Sequence, residues 1–142
     1  NVFIVSSDNL RKEIGGAIQN ANHEQEVWDR FRSDILKYRD FSDDVTVIAD
    51  ATNITNGHRM AFGRHAEGFD KRILMIFKKP HDEILKGNVL RGEDRQVPIE
   101  AIESMLSRWQ EPDDEVKAFF DEVNIIDKRF EAPHVKEEFH YK

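Results

Sequence analysis

Cysteine is absent from the 142 residues. That excludes disulfides, thiolate zinc sites and cysteine nucleophiles together, and it suits a reducing, cytoplasmic setting. Long apolar runs are missing as well: the longest, ILMIF at 73–77, falls far short of the roughly 20 residues a membrane helix needs, so no membrane contact is expected. The opening NVFIV lacks the charged start and cleavage pattern of a signal peptide. No internal repeat or low-complexity tract interrupts the chain. Positive charge is in short supply: 21 Lys and Arg stand against 28 Asp and Glu, a net charge of −7. A wholly basic nucleic-acid coat is thereby excluded, and any contact with phosphates has to be local.

What remains is 39% hydrophobic and 35% charged, the composition of a globular domain with a heavily charged surface. A chain of this length forms one domain with a real core. Four short apolar runs, at 2–5, 45–49, 73–77 and 123–126, read as strands, and the first three are nearly unbroken, as in parallel strands covered on both faces. Helical spacing fills the intervals. Leu10, Ile14 and Ile18 follow Asp8, a good N-cap, and Val27, Phe31, Ile35 and Tyr38 stripe a helix over 24–39. A third helix is expected over 56–66, weakened by Gly57 and Gly63, while Pro80 and Pro98 each open another as its first residue. A last short helix covers 113–120. Strands alternating with helices predict an α/β fold: a mostly parallel sheet flanked by helices on both sides. The domain spans 1–127, and 128–142 reads as a C-terminal tail or linker.

In such a sheet, ligands collect outside the carboxyl ends of the strands. Asp8 follows the first strand and Asp50 the second, and Arg11 lies three residues beyond Asp8, on a similar helix face. A plain cap and ion pair would account for Asp8 and Arg11 taken singly. Within VIADATNITNGHR at 47–59, Asp50 is placed to hold magnesium through water or to orient a cation, and Thr52 and Asn53 to fix the turn by bonding its backbone. In KGNVLRGEDRQVP at 86–98, Arg91 and Arg95 lie four residues apart around Gly92, two guanidiniums able to close over a phosphate chain. The histidines show no H-x-x-x-H spacing; His58, His65, His134 and His140 are expected at the surface, with no dedicated metal site. Phe62, Phe69, Phe119 and Phe120 are expected in the core.

The order of SSDNLR at 6–11, VIADATN at 47–53 with Arg59 after it, and LRGEDRQVPIEAIESM at 90–105 resembles phosphate-loop kinases of the polynucleotide kinase type, related to phage and bacterial enzymes that phosphorylate 5′-hydroxyl ends. The resemblance runs to about Asp127. It implies a three-layer kinase-like domain with an arginine-bearing lid, ATP and Mg2+ as cofactors, and a nucleic-acid 5′ end as substrate. By it, Asp8 is the general base, Arg11 holds the acceptor, and Asp50, with Asn53, supports the acceptor or magnesium side. Arg91 is the lid arginine on the donor phosphates, with Arg95 as a second lid contact. A small hydroxylated acceptor, or a nucleotide-binding module without catalysis, are the alternatives. Two departures stand out. Gly87 occupies a place where the family commonly carries Arg, and the phosphate loop GxxxxGK[ST] occurs nowhere in the 142 residues. A sheet without its central strand leaves two rows of backbone groups unpaired, each costing about 1–3 kcal/mol. The resemblance therefore implies that the first strand and phosphate loop lie outside these residues.

Overall fold

The computed structural model describes residues 1–18 and 22–126; the expected tail at 128–142 and the domain boundary at 127 lie outside them. The elements run β1 (Val2–Ser6), α1 (Ser7–Gly15), α2 (Glu24–Arg39), β2 (Thr46–Asp50), α3 (Asn56–Arg64), β3 (Ile73–Phe77), α4 (His81–Leu90), a 3-10 turn (Glu93–Arg95), α5 (Ile99–Arg108), α6 (Asp114–Phe119) and β4 (Glu122–Ile126). All four expected strands form, with ends within one residue of the apolar runs. No helix among the described residues is long and apolar enough to cross a membrane.

The single sheet expected from the pattern appears as two parallel pairs. β1 pairs with β2, from Val2 opposite Thr46 to Ser6 opposite Asp50, and β3 pairs with β4, from Ile73 opposite Glu122 to Phe77 opposite Ile126. Among the described residues no ladder joins β2 to β3. The expectation of two-sided burial is corrected: in β3 Leu74 and Ile76 are buried while Ile73, Met75 and Phe77 on the opposite face are 47%, 47% and 67% exposed, in β2 no residue is fully buried, and in β1 only Val5 and Ser6 are. An unbroken apolar run tells nothing about which of its faces is covered.

Each pair has its own core. Val5 and Leu10 meet Val27, Phe31 and Ile35 of α2 beneath β1 and β2; Leu74 and Ile76 meet Val116 and Phe120 beneath β3 and β4. Fully burying a Val or Phe side chain is worth roughly 1.5–3 kcal/mol, so Val27 and Phe31, neither with any exposed surface, anchor the first core. The helix α3 serves both: Phe62 packs on the first and Met60 on the second. The four phenylalanines expected inside all take part in these two clusters.

Local chemistry sets the element ends. The cap of α1 is Ser6, whose Oγ accepts from the amide of Asn9 at 3.3 Å, which corrects the expected cap at Asp8; Asp8 sits in the first turn. There its negative charge still meets the favourable end of the helix dipole. Gly16 closes α1 with φ of 83°, a left-handed cap that glycine adopts without strain, so Ile18 is buried outside the helix it was expected to extend. Pro80 and Pro98 are caps rather than first residues. Gly63 is needed where it stands: a Cβ there would meet the Phe120 ring at 2.8 Å and press on Phe119.

Candidate active site at the carboxyl rim of β1 and β2

Because Ser6 faces Asp50 across the ladder, the carboxyl ends of β1 and β2 lie side by side. Asp8 is two residues past that point, in the first turn of α1, and Asp50 is the last residue of β2. The parallel register alone therefore brings both predicted acids to one rim. Arg11 is bound to Asp8 at 2.8 Å (Nη1 to Oδ1), as their spacing on a helix allows.

A third member was not foreseen. Glu24, the first residue of α2, accepts from Arg11 Nε at 2.9 Å and from Nη2 at 2.9 Å, a fork-on-fork pair. The Glu24 hydrogen bond is the main reason the Arg11 pKa is raised, with the charges of Glu24 and Asp8 adding to it against the opposing effect of burial. The guanidinium also lies 5.5 Å from the centre of the Trp28 ring. Arg11 is thus a fixed cation that orients Asp8. To take up a substrate phosphate it would have to exchange one carboxylate for it. Nothing in the spacing of residues 11 and 24 signals their meeting.

Past β2 the chain turns through Asn53, whose Nδ2 donates to the Ala51 carbonyl at 3.4 Å, the local turn bond expected of it. The turn is held from below by Arg59, which has no exposed surface. Its Nε donates to the Asn53 carbonyl at 2.9 Å, and its Nη1 to Asn56 Oδ1 at 3.0 Å and to the Gln110 carbonyl at 2.7 Å. The Trp109 ring centre is 5.5 Å from its guanidinium carbon, while Nη2 is buried without a partner. Burial pulls its pKa down, partly offset by Glu111 and Asp113. Gln110 completes the clamp: its amide donates to the Ile54 carbonyl at 2.8 Å and its Oε1 accepts from the Asn56 amide at 2.9 Å.

The arginine segment stands on a different body. Arg91 follows α4 and is exposed, its Nη1 reaching the Arg95 carbonyl at 3.4 Å; Arg95, also exposed, ends the 3-10 turn. Asn88 braces the segment by donating to the Val97 carbonyl at 2.7 Å and accepting from the Val97 amide at 2.8 Å. An ion-pair contact links it to the rim: Asp94 lies 3.9 Å from Lys12, the neighbour of Arg11. The structure thus gathers Asp8, Arg11, Asp50 and Asn53 around one rim and sets Arg91 and Arg95 on a neighbouring arm.

As a magnesium site, the rim offers two carboxylates at the strand ends, which fits an ion that keeps most of its waters and takes one or two protein oxygens. His65, expected at the surface, is half-buried, its ring centre 6.3 Å from that of Phe31 and 6.0 Å from that of Phe62.

A family model described as AAA domain matches residues 1–112. The family is of the P-loop kinase type and includes polynucleotide-kinase-like members. No curated protein matches the chain. With the match spanning both strands of the rim, both acids and the whole arginine arm, the chain belongs to the AAA domain family of P-loop nucleotide-binding proteins.

Proposed function

We propose that this domain transfers the γ-phosphoryl group of ATP to a hydroxyl acceptor, the 5′-hydroxyl end of a polynucleotide. The observation that carries the reading is the Ser6–Asp50 register, which sets Asp8, Asp50 and the Arg11 ion pair at one strand-end rim in a chain of a kinase-containing family.

The chemistry follows from the groups present. The acceptor oxygen attacks the γ-phosphorus as the bond to the bridging β–γ oxygen breaks and ADP leaves, and the hydroxyl proton passes to Asp8. Such proton transfer contributes about 10²- to 10⁴-fold in rate. Arg11, already oriented by Glu24, exchanges its Asp8 contact for an acceptor phosphate. Arg91 and Arg95 close over the donor oxygens, where a cation counts for most once water is excluded. Asp50 would help to hold the Mg2+ of the nucleotide, and Asn53 keeps the turn beneath it. The ion supplies neutralisation of charge on the phosphate oxygens.

The net charge of −7 favours a second reading, a small hydroxylated acceptor in place of a nucleic acid. Transfer of labelled phosphate from ATP separates the two. Because GxxxxGK[ST] is not in these 142 residues, the assay uses the intact gene product that carries them. Labelling of a 5′-hydroxyl oligonucleotide is expected; labelling of small hydroxyl compounds alone would overturn the polynucleotide assignment, and no transfer to either would overturn the kinase reading.

A further inference from the structure

At the far end of α3 from the rim, about 13 Å along its nine residues, two open hollows adjoin. One, of about 420 Å3, is lined by Arg32, Arg64, His65 and Glu67; the other, of about 390 Å3, shares Arg64 and Glu67 and adds Arg72 and Phe119. Arg11 is engaged with Asp8 and Glu24, Arg30 with Glu13 and Asp34, and Arg39 with Asp40, while the exposed Arg91 and Arg95 stand on the arm described above. The exposed guanidiniums of Arg32 and Arg64 have neither a carboxylate nor a hydrogen-bond partner among the described residues. Two like charges facing one hollow repel each other unless an anion lies between them.

The surroundings agree. His65 Nδ1 is buried there without a partner, and burial, with the charge of Arg32 adding to it, holds the ring below its usual pKa. Beyond Arg64 the guanidinium of Arg72 lies over the Phe119 ring, 4.2 Å from its centre. A flat cation on an aromatic ring is a surface on which a base can stack. Glu67, whose carbonyl is pinned by Arg39 Nη1 at 2.8 Å, is the one carboxylate lining both hollows, and it opposes an anion there.

We propose that this trough binds the phosphodiester backbone of a single polynucleotide strand, with Arg32 and Arg64 on phosphates and the Arg72–Phe119 surface under a base. The assignment rests on the polynucleotide reading of the acceptor and adds a second contact region to it, remote from the reacting end.

The test is fluorescence anisotropy of a labelled single-stranded oligonucleotide with a 5′-phosphate, titrated with the intact protein over a range of salt. Each phosphate neutralised contributes about 0.7 to the log–log salt slope for single strands, so Arg32→Ala with Arg64→Ala is expected to reduce the slope by about 1.4. Sequence preference should stay the same, as for any backbone contact. Glu67→Gln is expected to tighten binding, and this arm decides the matter if the double variant does not fold. An unchanged slope in a folded double variant overturns the proposal. So does unchanged or weaker binding by Glu67→Gln, or equal affinity for a nucleoside monophosphate and the strand, which would mark a lone anion subsite. Because the oligonucleotide cannot accept a phosphate, the result is independent of whether the rim transfers one.

Discussion

Replacing Arg59 with methionine tests whether one buried guanidinium holds the rim together. The side chain is wholly buried and serves three acceptors, the carbonyls of Asn53 and Gln110 and the side chain of Asn56. Methionine keeps the stem and removes every donor. Asn56 is half-buried and can turn to water, so the cost falls on two carbonyls left unpaired at about 1–3 kcal/mol each. Against this, the change also removes Nη2, which is buried without a partner at a cost of similar size. The balance is a net loss of about 1–3 kcal/mol, read as a lower midpoint in urea unfolding of the intact protein at unchanged slope. Arg59→Lys, able to serve one carbonyl, should fall between. Stability equal to or above that of the parent in Arg59→Met would refute the reasoning, because it would mean that the desolvation of the cation outweighs its hydrogen bonds.

Asp8→Asn is expected to abolish phosphoryl transfer while leaving ATP affinity nearly intact in equilibrium binding, since the base touches the acceptor; an equal loss of affinity would show its role misassigned. Arg91→Ala should raise the KM for ATP in steady-state kinetics. Gly63→Ala drives a methyl into the Phe119 and Phe120 rings and should lower stability by about 1–3 kcal/mol in thermal or urea unfolding. For His65, the folded pKa lies below the ordinary 6.5 because of burial and Arg32, so the unfolded chain binds the proton more readily. Its contribution to stability is complete above that value and is lost as pH falls below it through the lower folded pKa, a dependence that His65→Gln should flatten in melts across the same range.

Much of the fold is legible because apolar runs and helical stripes are local. The four strands and the α2 stripe of Val27, Phe31 and Ile35 come directly from spacing. The N-terminal cap of α1 was misjudged because Ser and Asp are near-equal capping residues and Ser6 and Asp8 stand two apart; only the backbone decides which leaves the helix. Gly63 reads as a helix weakener in isolation, yet two rings from another helix demand it. Of the site, Asp8 and Asp50 were visible as acids ending apolar runs. Their adjacency was not, since it depends on the register of β1 against β2. Glu24 on Arg11 and Gln110 under Arg59 join residues 13 and 51 positions apart, which no periodicity connects.

Those long-range contacts bear on how the two halves of the site are held to each other. The acids and Arg11 belong to the β1–β2 body, whereas Arg91 and Arg95 ride on an arm that leaves β3 and returns through α5. No ladder joins the two pairs among the described residues, so their relation falls to α3, with one side chain in each core, and to the knot formed by Ile54, Asn56, Arg59 and Gln110. Gln110 lies two residues past the end of α5, at the returning root of the arginine arm, and Asn53 lies three past Asp50. A single guanidinium bonded to both carbonyls therefore fixes where the arm is rooted relative to the rim. By contrast the outer end of the arm meets α1 through the exposed Lys12–Asp94 pair at 3.9 Å, a contact worth about 0–1 kcal/mol. The arm is rooted firmly and tethered weakly at its tip, which is the mechanical condition that the proposed closing of Arg91 and Arg95 over a nucleotide would require.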